Sequence, residues 1–223
     1  MKRIPHSALA DITAVVFHGL ITNVLLVVSM FPLVFLLVAT DPARSWLLIA
    51  AVAPFSAPAL SAAFASFTTP TAGIRDSVQS FIGGWRATWR KALALGALAT
   101  VAAVVLLVDV RFFTATPYAV VAVPFIGVAL AITAAILLVS LVALSESPEA
   151  RLRDLLRAST YLGVRRWYLT VVSLLVLAAH AALFTTHPAI ALGLTAAPAL
   201  YVTWANSRHI LRPVMHVSRV SGS

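Results

Sequence analysis

Long apolar runs broken by short polar ones dominate this chain, and their lengths predict helices that cross a membrane. Runs near 12–39, 46–69, 92–110, 117–144, 167–186 and 188–206 each come close to or exceed the roughly 20 apolar residues that a spanning helix needs. The last two are divided only by Thr185, Thr186, His187 and Pro188, and the 40 or so residues together exceed what helix tilt accommodates. Pro188 suits a first helical turn, so a tight hairpin is expected there. The segment 75–91 has a different pattern. At 100° per residue Val78, Phe81, Ile82, Trp85 and Trp89 share one arc, while Arg75, Gln79, Arg86, Arg90 and Lys91 lie outside it. This predicts a short amphipathic helix in the membrane interface, with Gly83 and Gly84 marking a bend. A second such helix is expected over 148–163, opened by Ser147 as N-cap, Pro148 in the first turn and Glu149 near the positive helix end. Its leucines (Leu152, Leu155, Leu156, Leu162) face away from Arg153, Asp154, Arg157 and Arg165.

Orientation follows from the basic residues. Lys2, Arg3, Arg75, Arg86, Arg90, Lys91, Arg151, Arg153, Arg157, Arg165, Arg166, Arg208, Arg212 and Arg219 fall on one side, and Arg44 and Arg111 on the other. Because loops rich in Lys and Arg stay in the cytoplasm, both termini are expected inside, which requires an even number of spans. The expected fold class is therefore an all-α polytopic membrane protein of six transmembrane helices in one membrane domain, N-in and C-in, with amphipathic helices on the inner face. The apolar run after the first polar residues has no small-residue cleavage signal close behind it, so it is expected to stay as a span.

Composition sharpens the class. Of 223 residues, 61% are hydrophobic and 10% charged, with a mean hydropathy of +0.99. Six spans leave only short loops, with no room for a separate soluble domain. The net charge of +9 lies beside the spans, which directs it to anionic lipid at the inner face rather than to nucleic acid. Cysteine is absent, which excludes disulfides, thiolate metal sites and cysteine nucleophiles.

Candidate chemistry is sparse. No Asp, Glu, Lys or Arg lies well inside a span, so a proton relay of the usual kind is not expected. His18 and Asn23 in the first span and His180 in the fifth are the intramembrane polar candidates. At a rise of about 1.5 Å per residue, His18 lies roughly 9 Å and His180 roughly 20 Å from the inner ends of their spans, which argues against a shared metal. Structural hydrogen bonds are the expected role for all three. Asp109 is expected to meet Arg44 across the outer rim. Pro58, Pro124 and Pro198, together with Pro32 and Pro54, are candidate helix kinks. No nucleophile elbow, phosphate loop or nucleotide signature is present, so neither an enzyme nor a self-powered pump is expected, and no cofactor or metal.

Several stretches resemble the YesL-like family of small bacterial membrane proteins. Ala57-Pro58-Ala59-Leu60-Ser61-Ala62-Ala63-Phe64 is similar to a Gly-Pro-Ala-Thr-Ala-Ala-Leu-Phe stretch of that family, departing from it at Ala57, Leu60, Ser61 and Ala63. Phe81, Trp85-Arg86 and Trp89-Arg90-Lys91-Ala92 resemble its aromatic and basic inner segment, and Asp109 to Phe113 and Leu155-Leu156-Arg157-Ala158 extend the likeness over about 11–212. The resemblance implies a bacterial cytoplasmic-membrane protein of unassigned biochemical activity, often encoded beside carbohydrate-uptake systems, with no catalytic set to carry over. The expectation is a non-catalytic accessory or assembly subunit of such a system, with a carbohydrate ABC transporter or another membrane protein as partner. Contact with lipid and partner is expected through Phe81, Trp85, Arg86, Trp89, Arg90, Lys91, Arg153, Arg157, Arg165 and Arg166. The alternative is a self-contained small-solute channel or carrier with kinked helices.

Overall fold

A computed structural model describes residues 6–68 and 73–220, with side-chain surroundings for 13–68 and 73–211. Lys2 and Arg3 lie outside the described residues, as do the side chains of Arg212 and Arg219. Every element among the described residues is helical. In chain order these are α1 (His6–Ser29), α2 (Phe31–Ala39), α3 (Pro42–Val52), a 3-10 turn (Ala53–Phe55), α4 (Ser56–Thr68) and α5 (Ile74–Phe113). They continue with α6 (Ala119–Glu146), α7 (Leu152–Arg165), α8 (Trp167–Thr186), α9 (Pro188–Ile190), a π-turn (Ala191–Thr195) and α10 (Ala196–Val220). Five continuous helical stretches are long and apolar enough to cross a membrane, and α1 with α2 makes a sixth if that bent pair is one span. The protein is an all-α, multi-pass membrane protein.

The bend in the first span is 76°. Met30 leaves helical geometry (φ −100°, ψ 11°), and Pro32 stands in the first turn of α2, where it has no N–H to donate backwards. Pro54 acts similarly in the second span, sitting within the 3-10 turn that joins α3 to α4. The expected kinks divide accordingly. Pro58 lies in the first turn of α4, after the interruption; Pro124 stands inside an unbroken α6; and Pro198 lies in the first turn of α10, after the π-turn.

The expected interfacial helix at 75–91 is not a separate element: it runs without a break into the third span as the 40-residue α5. At about 1.5 Å per residue α5 is roughly 60 Å long, about twice the hydrocarbon thickness. Its buried face also differs from the apolar arc. Phe81 is buried and Trp85 packs against the core, whereas Ile82 and Trp89 are exposed. The face turned inward carries Ser77, Phe81, Gly84, Thr88, Ala92 and Gly96. Large apolar side chains gain nothing by leaving lipid, so helix contacts in a membrane favour small residues that let backbones approach. Gly84 and Gly96 therefore serve close packing, and the helix continues unbroken through Gly83 and Gly84. A Cβ on Gly96 would come within 2.7 Å of Ala57 Cβ and 2.8 Å of the Pro54 carbonyl, and one on Gly84 within 2.6 Å of Ala65 Cβ.

The core lies towards one end of the bundle, the end rich in arginine. It is built from α4 around Phe64, from Phe81 to Leu95 of α5, from Ala135 to Leu144 of α6, from Leu155 and Leu162 of α7, and from α10 down to Leu211. The opposite halves of α5 and α6 bury nothing, and neither do α2 and α3. There Arg44 pairs with Asp41, the N-cap of its own helix, at 3.5 Å, and not with Asp109 as expected. A neighbour three residues away is held within reach by the helix itself, which a distant rim partner is not.

Candidate functional site

Two of the three polar residues expected within spans, Asn23 and His180, converge on the break in the last span. Asn23 is 1% exposed. Its Nδ2 donates to the Gly193 carbonyl at 2.9 Å, and its Oδ1 accepts from the Ala197 N–H at 2.6 Å. Residues 193 and 197 are the two ends of one ordinary i→i−4 helical bond, so the carboxamide of Asn23 stands inside that bond as a spacer. The orientation is unambiguous, because the carbonyl can only accept and the N–H only donate. A side chain inserted in the ladder is a known cause of helix distortion, and Pro198, which cannot donate, removes the next bond as well. A Cβ on Gly193 would meet nothing within 4 Å, so packing does not require a glycine beside the opened turn.

His180 of α8 addresses the same turn. Its Nδ1 lies 3.1 Å from Thr195 Oγ1, and that hydroxyl donates to the Ala191 carbonyl at 3.3 Å. His18 belongs to another contact. Its Nδ1 meets Ser77 Oγ at 2.9 Å, Ser77 Oγ donates to the Gly73 carbonyl at 3.0 Å, and the imidazole stands edge-on to Phe67 at 6.0 Å. The His18 contact thus joins α1 to the start of α5, and Phe67 continues it into Tyr201 and Trp204 of α10. No three His, Asp or Glu side chains converge on a metal position among the described residues. Thr195, Ser77 and Gly193 were not singled out from the sequence; the only signal was Gly193 five residues before Pro198 inside an apolar run.

At the arginine-rich end, the expected contact residues separate into two groups. Lys91 Nζ donates to the carbonyls of Pro148 and Ala150 at 2.6 and 3.0 Å, and Arg166 Nη1 donates to the His209 carbonyl at 2.6 Å. Both hold loops in place, as Phe81 and Trp85 hold the core. Lys91 also accounts for a shifted boundary: with those carbonyls drawn to it, 147–150 forms a turn and α7 begins at Leu152, with Arg151 at the N-cap and no side-chain cap. The second group is exposed: Arg86, Trp89 and Arg90 of α5, and Arg153, Arg157 and Arg165 of α7. Arg90 stacks over the Trp89 ring at 5.2 Å. One ion pair escaped sequence reasoning. Glu146, at the unfavourable C-terminal end of α6, meets Arg208 Nε at 3.2 Å, and Arg208 also covers the Trp204 ring at 5.1 Å.

Each of these contacts joins one helix or loop to another. Comparison with protein-family models, with curated proteins and with solved structures finds no match to this chain.

Proposed function

We propose that this protein is a non-catalytic accessory or assembly subunit of a bacterial cytoplasmic-membrane system, with both termini inside and a protein partner seated on the exposed row of α5. One observation carries the reading. Asn23, His18 and His180 within the spans are occupied in joining helices, whereas Arg75, Gln79, Arg86 and Arg90 stand exposed along one side of α5, with Trp89 beside them. Arg75 and Arg86 have no hydrogen-bond or ion-pair partner among the described residues. Exposed aromatic and arginine side chains of this kind are the usual anchors of protein interfaces. The resemblance to YesL-like proteins makes carbohydrate uptake the setting, and a carbohydrate ABC transporter the first partner to test.

The second reading, a self-contained carrier, has an observation of its own: a bent first span and an opened last span meet at Asn23, and interrupted helices often hold solutes in transporters. Here the freed backbone groups are already filled by the Asn23 amide, which favours the accessory role. The test uses tagged protein from native membranes. Replacing Arg86, Trp89 and Arg90 together by Gln, Ala and Gln is expected to abolish stoichiometric co-purification of a membrane partner and leave helical content unchanged. Solute flux by the purified protein alone in liposomes would overturn the proposal.

A further inference from the structure

A different surface points to a ligand of another kind. On α7 the residues Arg153, Arg157, Tyr161 and Arg165 follow one another at four-residue intervals, so they form one row along the helix. All four are exposed, Tyr161 at 64%. The opposite side of α7, with Leu155, Ser159 and Leu162, is buried in the bundle. The three arginines have no hydrogen-bond or ion-pair partner among the described residues, and Asp154 is the one carboxylate exposed on the helix beside them.

Beyond Arg165 the row meets the start of α8. Val164, Trp167 and Tyr168 are 68%, 65% and 53% exposed, and Val171 and Leu175 continue the same exposed strip along α8. This helix is apolar enough to cross the bilayer, so the strip runs from the arginines directly onto a lipid-facing surface. A soluble partner covering it would have to enter the hydrocarbon, whereas a phospholipid has both halves of the matching chemistry. The guanidinium fork suits a phosphate in two-point contact, Trp and Tyr favour headgroup depth, and an acyl chain fits beside Val171 and Leu175.

We propose that the α7–α8 elbow is a binding site for the phosphodiester headgroup of an anionic phospholipid, held by Arg153, Arg157 and Arg165, with Tyr161 and Trp167 at the level of the glycerol backbone. The site is independent of the partner surface on α5. Arg166 is not part of it, since it is committed to the His209 carbonyl.

The experiment uses the full-length protein, delipidated and placed in phosphatidylcholine nanodiscs with increasing phosphatidylglycerol, with bound lipid counted by mass spectrometry. Each arginine is expected to contribute roughly fivefold, so R153Q/R157Q/R165Q should weaken phosphatidylglycerol retention on the order of 100-fold. The variant R75Q/R86Q/R90Q, with the same change in net charge, should retain it. Equal loss in both variants would reduce the effect to bulk surface charge and overturn the site, as would retention in both. Displacement of the lipid by millimolar inorganic phosphate would make this a free-phosphate site and overturn the lipid assignment. A photoactivatable phosphatidylglycerol on the unaltered protein gives a measure that needs no variant: adducts are expected on 161–175, and adducts spread evenly over all lipid-facing helices would sink the proposal.

Discussion

Removing the Asn23 amide tests whether the opened turn in the last span is held from outside. In N23A the Gly193 carbonyl and the Ala197 N–H both lose their partner. If the turn stays open, two backbone groups are left unpaired within the apolar span at about 1–3 kcal/mol each, or roughly 2–6 kcal/mol in all. If residues 193 and 197 instead bond to each other, the loss falls to two interhelical hydrogen bonds at about 0.6 kcal/mol each, roughly 1 kcal/mol. N23D probes the pair of contacts: a carboxyl buried in the apolar span is neutral, so it keeps the acceptor for Ala197 and can donate its proton to the Gly193 carbonyl, and it should cost less than N23A. P198A restores a donor and allows a regular helix, so it should lower the cost of N23A when combined with it. The assay is unfolding in mixed micelles followed by far-UV circular dichroism, with hydrogen exchange at Ala197 reporting the rung itself. Wild-type stability in N23A, or unchanged exchange at Ala197 in N23A, would refute the spacer role.

Neighbouring glycines should respond in opposite directions. G96A is expected to destabilise by about 1–3 kcal/mol because its Cβ would meet Pro54 backbone, while G83A, facing open space, should stabilise α5 by up to about 1 kcal/mol; thermal unfolding of each variant checks both. K91M should free the carbonyls of Pro148 and Ala150 and speed protease cleavage at 147–151 in inside-out vesicles, whereas R90M should not. Single cysteines at Ala150 and at Thr116 test the orientation, with only Thr116 expected to react with an impermeant thiol reagent in intact cells.

The parts of this fold legible in the sequence are those where water and lipid meet. The amphipathic pattern of α7 separates its leucines from its arginines correctly because one side of that helix faces a polar medium. The same method applied to 75–91 groups the inward Phe81 and Trp85 with the exposed Ile82 and Trp89, since in a bilayer the buried face is marked by small residues, and Gly84, Thr88, Ala92 and Gly96 carry little hydrophobic weight. Asn23 and His180 stand out as polar residues in apolar runs, and hydrogen bonding within the bundle is the role they take. The partners of Asn23 could not be read, because backbone groups freed by a break in a helix leave no mark of their own on residue type. Lys91 looked like the other basic residues of its segment; only the arrival of the 147–150 turn beside it gives it a different task.

The uneven placement of the core bears on how this molecule comes apart. Side chains interlock near the arginine-rich end, while the far halves of α5 and α6, and all of α2 and α3, depend on surrounding acyl chains for most of their contacts. Lipid there acts as a removable part of the tertiary structure. Exchange into a detergent that fills this space poorly should therefore melt one end first, so that unfolding proceeds in two stages and a single midpoint would describe neither.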